Sequence, residues 1–240
     1  MMLLIPIIVF AESPQPYELI RTSTGGLLEH LHFDTEAEIL PAGEVALSAN
    51  MGFFGRAQLG VSYAAQNIIG FGKANFVPHA GFEVKARVLD EHINYPAVVL
   101  GINTQGYGGY IDSLDRYLFK SIGPYIAVSK NWWALGGNAG VHGGINYSLE
   151  TKDDKSVSFF LGVDKDYDGI AGIYIEYDAA LNDNIENNAF GEGSGYLNAS
   201  LWWHVTDYFK FEIFLLDCLS NSASNPSFGR GLRVTFYNNF

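Results

Sequence analysis

Two stretches of the sequence place reactive side chains at spacings that chemistry can use. Asp164, Asp166 and Asp168 alternate ahead of Gly169, as in the opening of a calcium loop, where carboxylates converge on the ion and glycine permits the sharp turn. The bidentate acid of such a loop would fall at Ile175, and Glu176 comes one residue late. The stretch therefore reads as a solvated hairpin turn, and no metal is assigned. Asn198, Ser200 and His204 share one face of a single extended segment and are residue types of a hydrolase triad. A triad needs its nucleophile within hydrogen-bond reach of its base, whereas residues four apart on a strand lie about 13 Å apart. No catalytic residue and no cofactor are assigned, and the chain is read as non-enzymatic.

A larger set of charges recurs with period two. In Phe82-Glu83-Val84-Lys85-Ala86-Arg87-Val88 the apolar residues occupy one face and the ionic residues the other, because side chains alternate along a strand. If such a strand crosses a membrane, its ionic face must look inward, since Lys or Arg on the lipid face near the midplane costs about 2–4 kcal/mol. A one-residue slip would expose both Lys85 and Arg87, so register is tightly set. The same reasoning assigns Arg56, Glu83, Lys85, Arg87, Glu176, Lys210, Glu212 and Arg233 to a lumen. Two arrangements stay open there: an internal ion-pair network, or segregated charges lining a water-filled path.

The elements that would carry these faces are strands. The chain has 240 residues, of which 17% are charged and 15% aromatic, with 27 glycines; this suits many short strands and tight turns better than long surface helices. A net charge of −12 argues against a nucleic-acid partner. The single Cys218 excludes an internal disulfide. The apolar run before Ala11 is long enough for a signal peptide over 1–11 and about half of what a spanning helix requires. Beyond it no stretch reaches a helical span, so a membrane reading requires a barrel.

Eleven alternating segments follow: Val45 to Phe53, Gly55 to Ala64, Phe82 to Leu89, Pro96 to Thr104, Phe119 to Lys130, Leu135 to Leu149, Lys155 to Val163, Ile170 to Asp178, Gly195 to Val205, Tyr208 to Asp217 and Gly231 to Phe240. Barrels favour even strand numbers, which predicts about twelve (10–12), with a twelfth in Gly25 to Phe33. Residues 12–42 then form an N-terminal lead segment with that possible strand, and 43–240 the barrel. Lys152-Asp153-Asp154, Asp166 to Gly169 and Val205-Thr206-Asp207 are predicted as short turns, which suit the periplasmic side. The longer breaks at 66–79, 105–118, 181–194 and 219–228 are predicted as external loops or inward-folded segments. Trp132, Trp133, Trp202 and Trp203 fall near strand ends and suit an interfacial aromatic girdle. The closing strand carries Leu232, Val234, Phe236 and Phe240 on one face, with Phe236 and Phe240 as an assembly signal for barrel-assembly machinery.

One stretch also carries a family likeness. Val84-Lys85-Ala86-Arg87-Val88-Leu89-Asp90-Glu91, then Tyr95-Pro96-Ala97-Val98-Val99-Leu100-Gly101, then Tyr125-Ile126-Ala127-Val128-Ser129-Lys130 resemble, in that order, the YjbH-like family of outer-membrane proteins linked to exopolysaccharide loci. Leu19 to Gly25, with Ser23 where proline is usual, resembles that family's N-terminal segment, and Glu176-Tyr177-Asp178 a later strand ending. The resemblance implies a role in exopolysaccharide or envelope biogenesis and polysaccharide-export partners. From the residues come an antiparallel transmembrane β-barrel in the outer membrane of a diderm bacterium, in contact with its lipid, and the alternative of a small, porin-like diffusion channel.

Overall fold

The computed structural model describes residues 15–183, 190–223 and 228–239; residues 1–11, read as the signal, and Phe240 lie outside them. Among the described residues fifteen strands are present: β1 (His32–Ile39), β2 (Val45–Phe53), β3 (Ala57–Gln66), β4 (Asn75–Phe76), β5 (Gly81–Leu89), β6 (Ala97–Asn103), β7 (Tyr107–Ile111), β8 (Arg116–Phe119), β9 (Gly123–Ala134), β10 (Gly137–Asn146), β11 (Ser158–Tyr167), β12 (Ala171–Asp178), β13 (Tyr196–Thr206), β14 (Phe209–Leu216) and β15 (Gly229–Asn239). All but β4, β7 and β8 pair antiparallel with a neighbour on each side, and β1 meets β15 as well as β2. The result is a closed twelve-stranded antiparallel barrel. Closure leaves no unpaired edge, the condition for a sheet to sit in lipid, where no water satisfies backbone N–H and C=O groups.

Eleven wall strands correspond to the eleven alternating segments. The twelfth differs: it runs over His32–Ile39 instead of Gly25 to Phe33, so the wall begins well before residue 43. Residues 25–28 are drawn into the lumen, while Asp34, Glu36 and Glu38 supply the buried face of β1.

Side-chain alternation makes the wall inside-out relative to a soluble protein. Leu161 on β11 is 55% exposed, whereas Lys85 on β5 is fully buried. Phe82, Val84 and Val88 face outward beside buried Glu83 and Lys85. Inward glycines make room for large neighbours: a Cβ at Gly144 would lie 2.3 Å from the Phe160 ring, and one at Gly231 2.2 Å from Phe214.

The connections sort by length. Those at 54–56, 90–96, 135–136, 168–170 and 207–208 lie at one end together with the start of β1 and the close of β15. The breaks at 67–80, 104–122, 147–157, 179–195 and 217–228 lie at the other, with 40–44 the one tight turn among them. At 135–136 both residues have positive φ, 50° and 74°, the two-residue hairpin turn whose twist matches its strands. Lys152-Asp153-Asp154 belongs to the long-connection end, contrary to the short turn predicted for it. Asp153 is held there by Arg116 and Lys120. The connection between β6 and β9 folds inward as the hairpin β7–β8.

Leu161→Arg places a cation on the lipid face at mid-strand and should lower stability by about 2–4 kcal/mol, against about 0–1 kcal/mol for Leu135→Arg in the exposed turn. Denaturant midpoints after refolding into phospholipid vesicles check this; equal midpoints would remove the sidedness of the wall.

Candidate functional site

The lumen is a packed and highly charged interior. Its centre is Arg233 on β15, 2% exposed at the side chain. The guanidinium lies 2.6 Å from Glu38, 3.2 Å from Glu18, 3.5 Å from Glu212 and 3.9 Å from Glu36. Register explains the grouping: β1 and β14 flank β15, and Glu38 and Glu212 are the direct cross-strand partners of Arg233. Of the two arrangements left open by the sequence, this part of the lumen is an ion-pair network.

Glu18 comes from a segment that is not part of the wall. Residues 15–28 enter the lumen from the short-turn end, where Gln15 bonds Glu91. They turn at Leu19–Thr22, with Leu19 N–H donating to the Thr22 carbonyl at 3.0 Å. They return past Gln58, whose amide oxygen accepts the Leu28 N–H at 3.0 Å. Leu19, Ile20 and Thr24 are fully buried. One carboxylate, Glu176 on β12, accepts N–H groups from Ile20, Arg21 and Thr22 at 2.9–3.1 Å, the Thr22 hydroxyl at 2.7 Å and the Asn198 amide at 2.8 Å.

The hairpin β7–β8 approaches from the other end. Arg116, fully buried, donates to the Tyr117 and Leu118 carbonyls at 2.7 Å each and pairs with Asp153 and Asp183. Tyr107 lies over the Arg21 guanidinium, 4.6 Å from ring centroid to carbon. A cavity of about 120 Å³ remains between this hairpin and the inserted segment, its wall carrying Glu18, Glu36, Glu38, Glu83, Asp178 and Asp183 against Arg21 and Lys120. In the turn before β2, Glu44 accepts the Gly108 N–H at 2.9 Å. Burial pushes its carboxyl up to about 7, with Arg21 pulling the other way.

Of the residues assigned to the lumen, Glu83, Lys85, Glu176, Lys210, Glu212 and Arg233 are buried in it. Arg87 reaches in from its short-turn rim to the Gly25 carbonyl at 2.8 Å. Arg56 is corrected: it lies in the 54–56 turn, 60% exposed, pairing with Asp90 at 2.6 Å, because the strand begins at Ala57, two residues after the predicted Gly55. Trp132 and Trp203 lie on outward rows, whereas Trp202 is buried in the lumen against Tyr174 and Trp133 shares the inward row of Asn131. The girdle therefore draws on two of the four tryptophans, since adjacent strand residues face opposite ways. Phe236 faces outward, 45% exposed.

Neither sequence constellation assembles. Asn198 is committed to Glu176 and to the Asp217 N–H, and His204 packs on Trp202 and Tyr237. In the calcium-like stretch, Asp164 is turned to His142 and Asp166 to Asn138. A different trio does form: Ser129 Oγ lies 2.6 Å from His142 Nδ1, and His142 Nε2 2.5 Å from Asp164. The three sit on adjacent strands β9, β10 and β11, so no linear spacing could announce them. Ser129 is fully buried and also accepts the Gly25 N–H at 2.6 Å, which leaves no room for a substrate beside it.

No protein-family model matches the chain, and a search of curated proteins gives no match. Among solved structures the fold is similar to that of the KdgM porin, with a TM-score of 0.53 at 12% identity over 85% of this chain and 98% of that one. It is likewise similar to the KdgM porin in complex with disordered oligogalacturonate, at 0.52 and 11% identity over 85% and 98%. At such identities the likeness is one of fold, and the fold is that of a porin-type barrel.

Two outcomes follow. Arg233→Met leaves Glu212 buried without its cation, while Glu38 keeps Arg21 at 2.9 Å, and should cost about 3–5 kcal/mol, read as a lowered urea midpoint by tryptophan fluorescence; an unchanged midpoint would show that the network contributes nothing. For Glu44, the folded carboxyl holds its proton to about 7 and the unfolded one to its ordinary 4.5. Its contribution is therefore full below 4.5 and is lost as pH rises through about 7. Proteolysis of the 104–122 connection should accelerate over that window, and Glu44→Gln should flatten the dependence.

Proposed function

We propose that this porin-type barrel is a non-enzymatic channel of the outer membrane of a diderm bacterium, seen here with its lumen occupied. The observation that carries the reading is the closed wall that sets an apolar exterior against an ionised interior. The sorting of connections, long at one end and short at the other, is the pattern of outer-membrane barrels, with the short turns periplasmic.

The acidic lining of the cavity sets the preferred solute. Carboxylates outnumber cations around it, and rings of Asp or Glu favour cations and disfavour anions. The similar porin described above was captured with oligogalacturonate, a polyanion; the lining here favours neutral or cationic polar solutes instead. A second reading, support of exopolysaccharide or envelope biogenesis with polysaccharide-export partners, rests on the YjbH-like resemblance and is favoured by the occupied lumen, which a non-conducting role does not require to empty.

Purified protein in planar bilayers should give conductance steps whose reversal potential in a salt gradient has the cation-selective sign. Selectivity should fade from 0.1 M to 1 M salt, as the screening length falls from about 10 Å to about 3 Å. Anion selectivity would overturn the solute preference. A silent protein, together with loss of secreted polysaccharide on gene deletion, would replace the channel with the envelope reading.

A further inference from the structure

The segment 15–28 is bound to the wall chiefly through its main chain. Glu176 takes three consecutive N–H groups, while Arg233 returns hydrogen bonds to the Leu19 and Ile20 carbonyls at 3.1 and 2.7 Å. Lys85 donates to the Tyr17 carbonyl, Arg87 to the Gly25 carbonyl, and Ser129 accepts the Gly25 N–H. Side chains add to this set: Arg21 pairs with Glu38 at 2.9 Å and the Ser23 hydroxyl donates to Tyr125 at 2.9 Å. Leu19 fits closely as well, its methyl 2.3 Å from where a Cβ at Gly162 would lie, so the wall is notched to receive it.

The path of the segment matters as much as its contacts. It is a turn, with a bridge between Glu18 and Ser23 and the Thr24 N–H donating to the Tyr17 carbonyl at 3.2 Å. Both arms leave by the short-turn end, one beside Glu91 and the other toward Gly52 and β1. None of its residues belongs to a wall strand. It can therefore be withdrawn without threading a chain end through the barrel and without breaking a ladder. The groups it uncovers, Glu176 and Arg233, are charged, and water filling the vacated lumen would solvate them.

We propose that Glu176 and Arg233 form a peptide-backbone-binding site in the lumen wall, that the chain's own residues 15–28 are its displaceable ligand, and that this plug must leave for the lumen to conduct. The proposal rests on the channel reading above and adds to it what closes the channel. Withdrawal also exposes Ser129, which gives the motion a chemical signature independent of current.

The test is a reversible lock in the full-length chain. An ideal Cβ at Gly25 lies 2.9 Å from the Ser129 Cβ, inside the roughly 3.5–4.5 Å span of a disulfide, so the turn must shift outward by about 1 Å as the bond forms; the Gly25 backbone is not left-handed. In a Cys218→Ser background, Gly25→Cys with Ser129→Cys should be silent when oxidised, and reductant should restore conductance. Leu19→Asp puts a carboxylate in the Gly162 notch near Glu176 without substituting a wall residue and should raise open probability roughly tenfold or more. In Ser129→Cys, the same substitution should speed labelling by an impermeant maleimide by roughly the same factor. Heat-modifiable gel mobility verifies that each barrel is folded. Equal conductance in oxidised and reduced lock overturns the plug while leaving the channel. Labelling that Leu19→Asp does not accelerate overturns displacement itself. Silence of the reduced lock and of Leu19→Asp overturns the channel reading and the plug together.

Discussion

A single buried cation organises the inside of this barrel. Arg233 is shared by Glu38 from β1, Glu212 from β14 and Glu18 from the inserted segment, and it also holds two carbonyls of that segment. A guanidinium presents five donors in a rigid fork, so one residue can meet several carboxylates and a peptide turn at once. Without it three acids would face each other at close range in an interior that water penetrates poorly, a costly arrangement. The strand that closes the barrel is thereby also the strand that fixes what fills it.

The wall depends on a second constraint, the absence of water outside. Soluble sheets bury the apolar face; here Leu161 and its outward neighbours are exposed and the ionic row is covered. The polar interior must then satisfy itself. It does so partly with wall residues, as in the Ser129–His142–Asp164 chain across three strands, and partly with main chain that is not wall at all. Inward glycines such as Gly144, Gly162 and Gly231 are the counterpart: each leaves a recess for a large side chain, from the wall at Phe160 and Phe214 and from the inserted turn at Leu19.

The two insertions are anchored differently. The hairpin β7–β8 is fastened around Arg116, whose partners Asp153 and Asp183 come from two other connections at the same end, so long loops are bound to one another through a buried ion. Residues 15–28 are instead held to the wall by a carboxylate and a guanidinium that read the peptide backbone. Cross-linking of loops favours a fixed cap, and backbone recognition of a turn with both arms at one end favours an element able to come and go.

Much of the wall was legible from the residues because side-chain period and lipid cost are local rules. Eleven strands and the inward placement of Glu83, Lys85 and Arg87 follow from alternation alone. Alternation leaves open where a strand begins and which of two adjacent tryptophans faces in, so by itself it misplaces Arg56, Trp133 and Trp202. The network was not legible: Glu18, Glu38, Glu176, Glu212 and Arg233 lie far apart in sequence and meet only when β15 pairs with β1 and closes the circle. By itself, the sequence determined a membrane-type strand pattern with an ionic inner face. Only the tertiary structure decided that residues 15–28 occupy that interior, since the groups that bind them come from strands at opposite ends of the chain and form a site only once the barrel is shut.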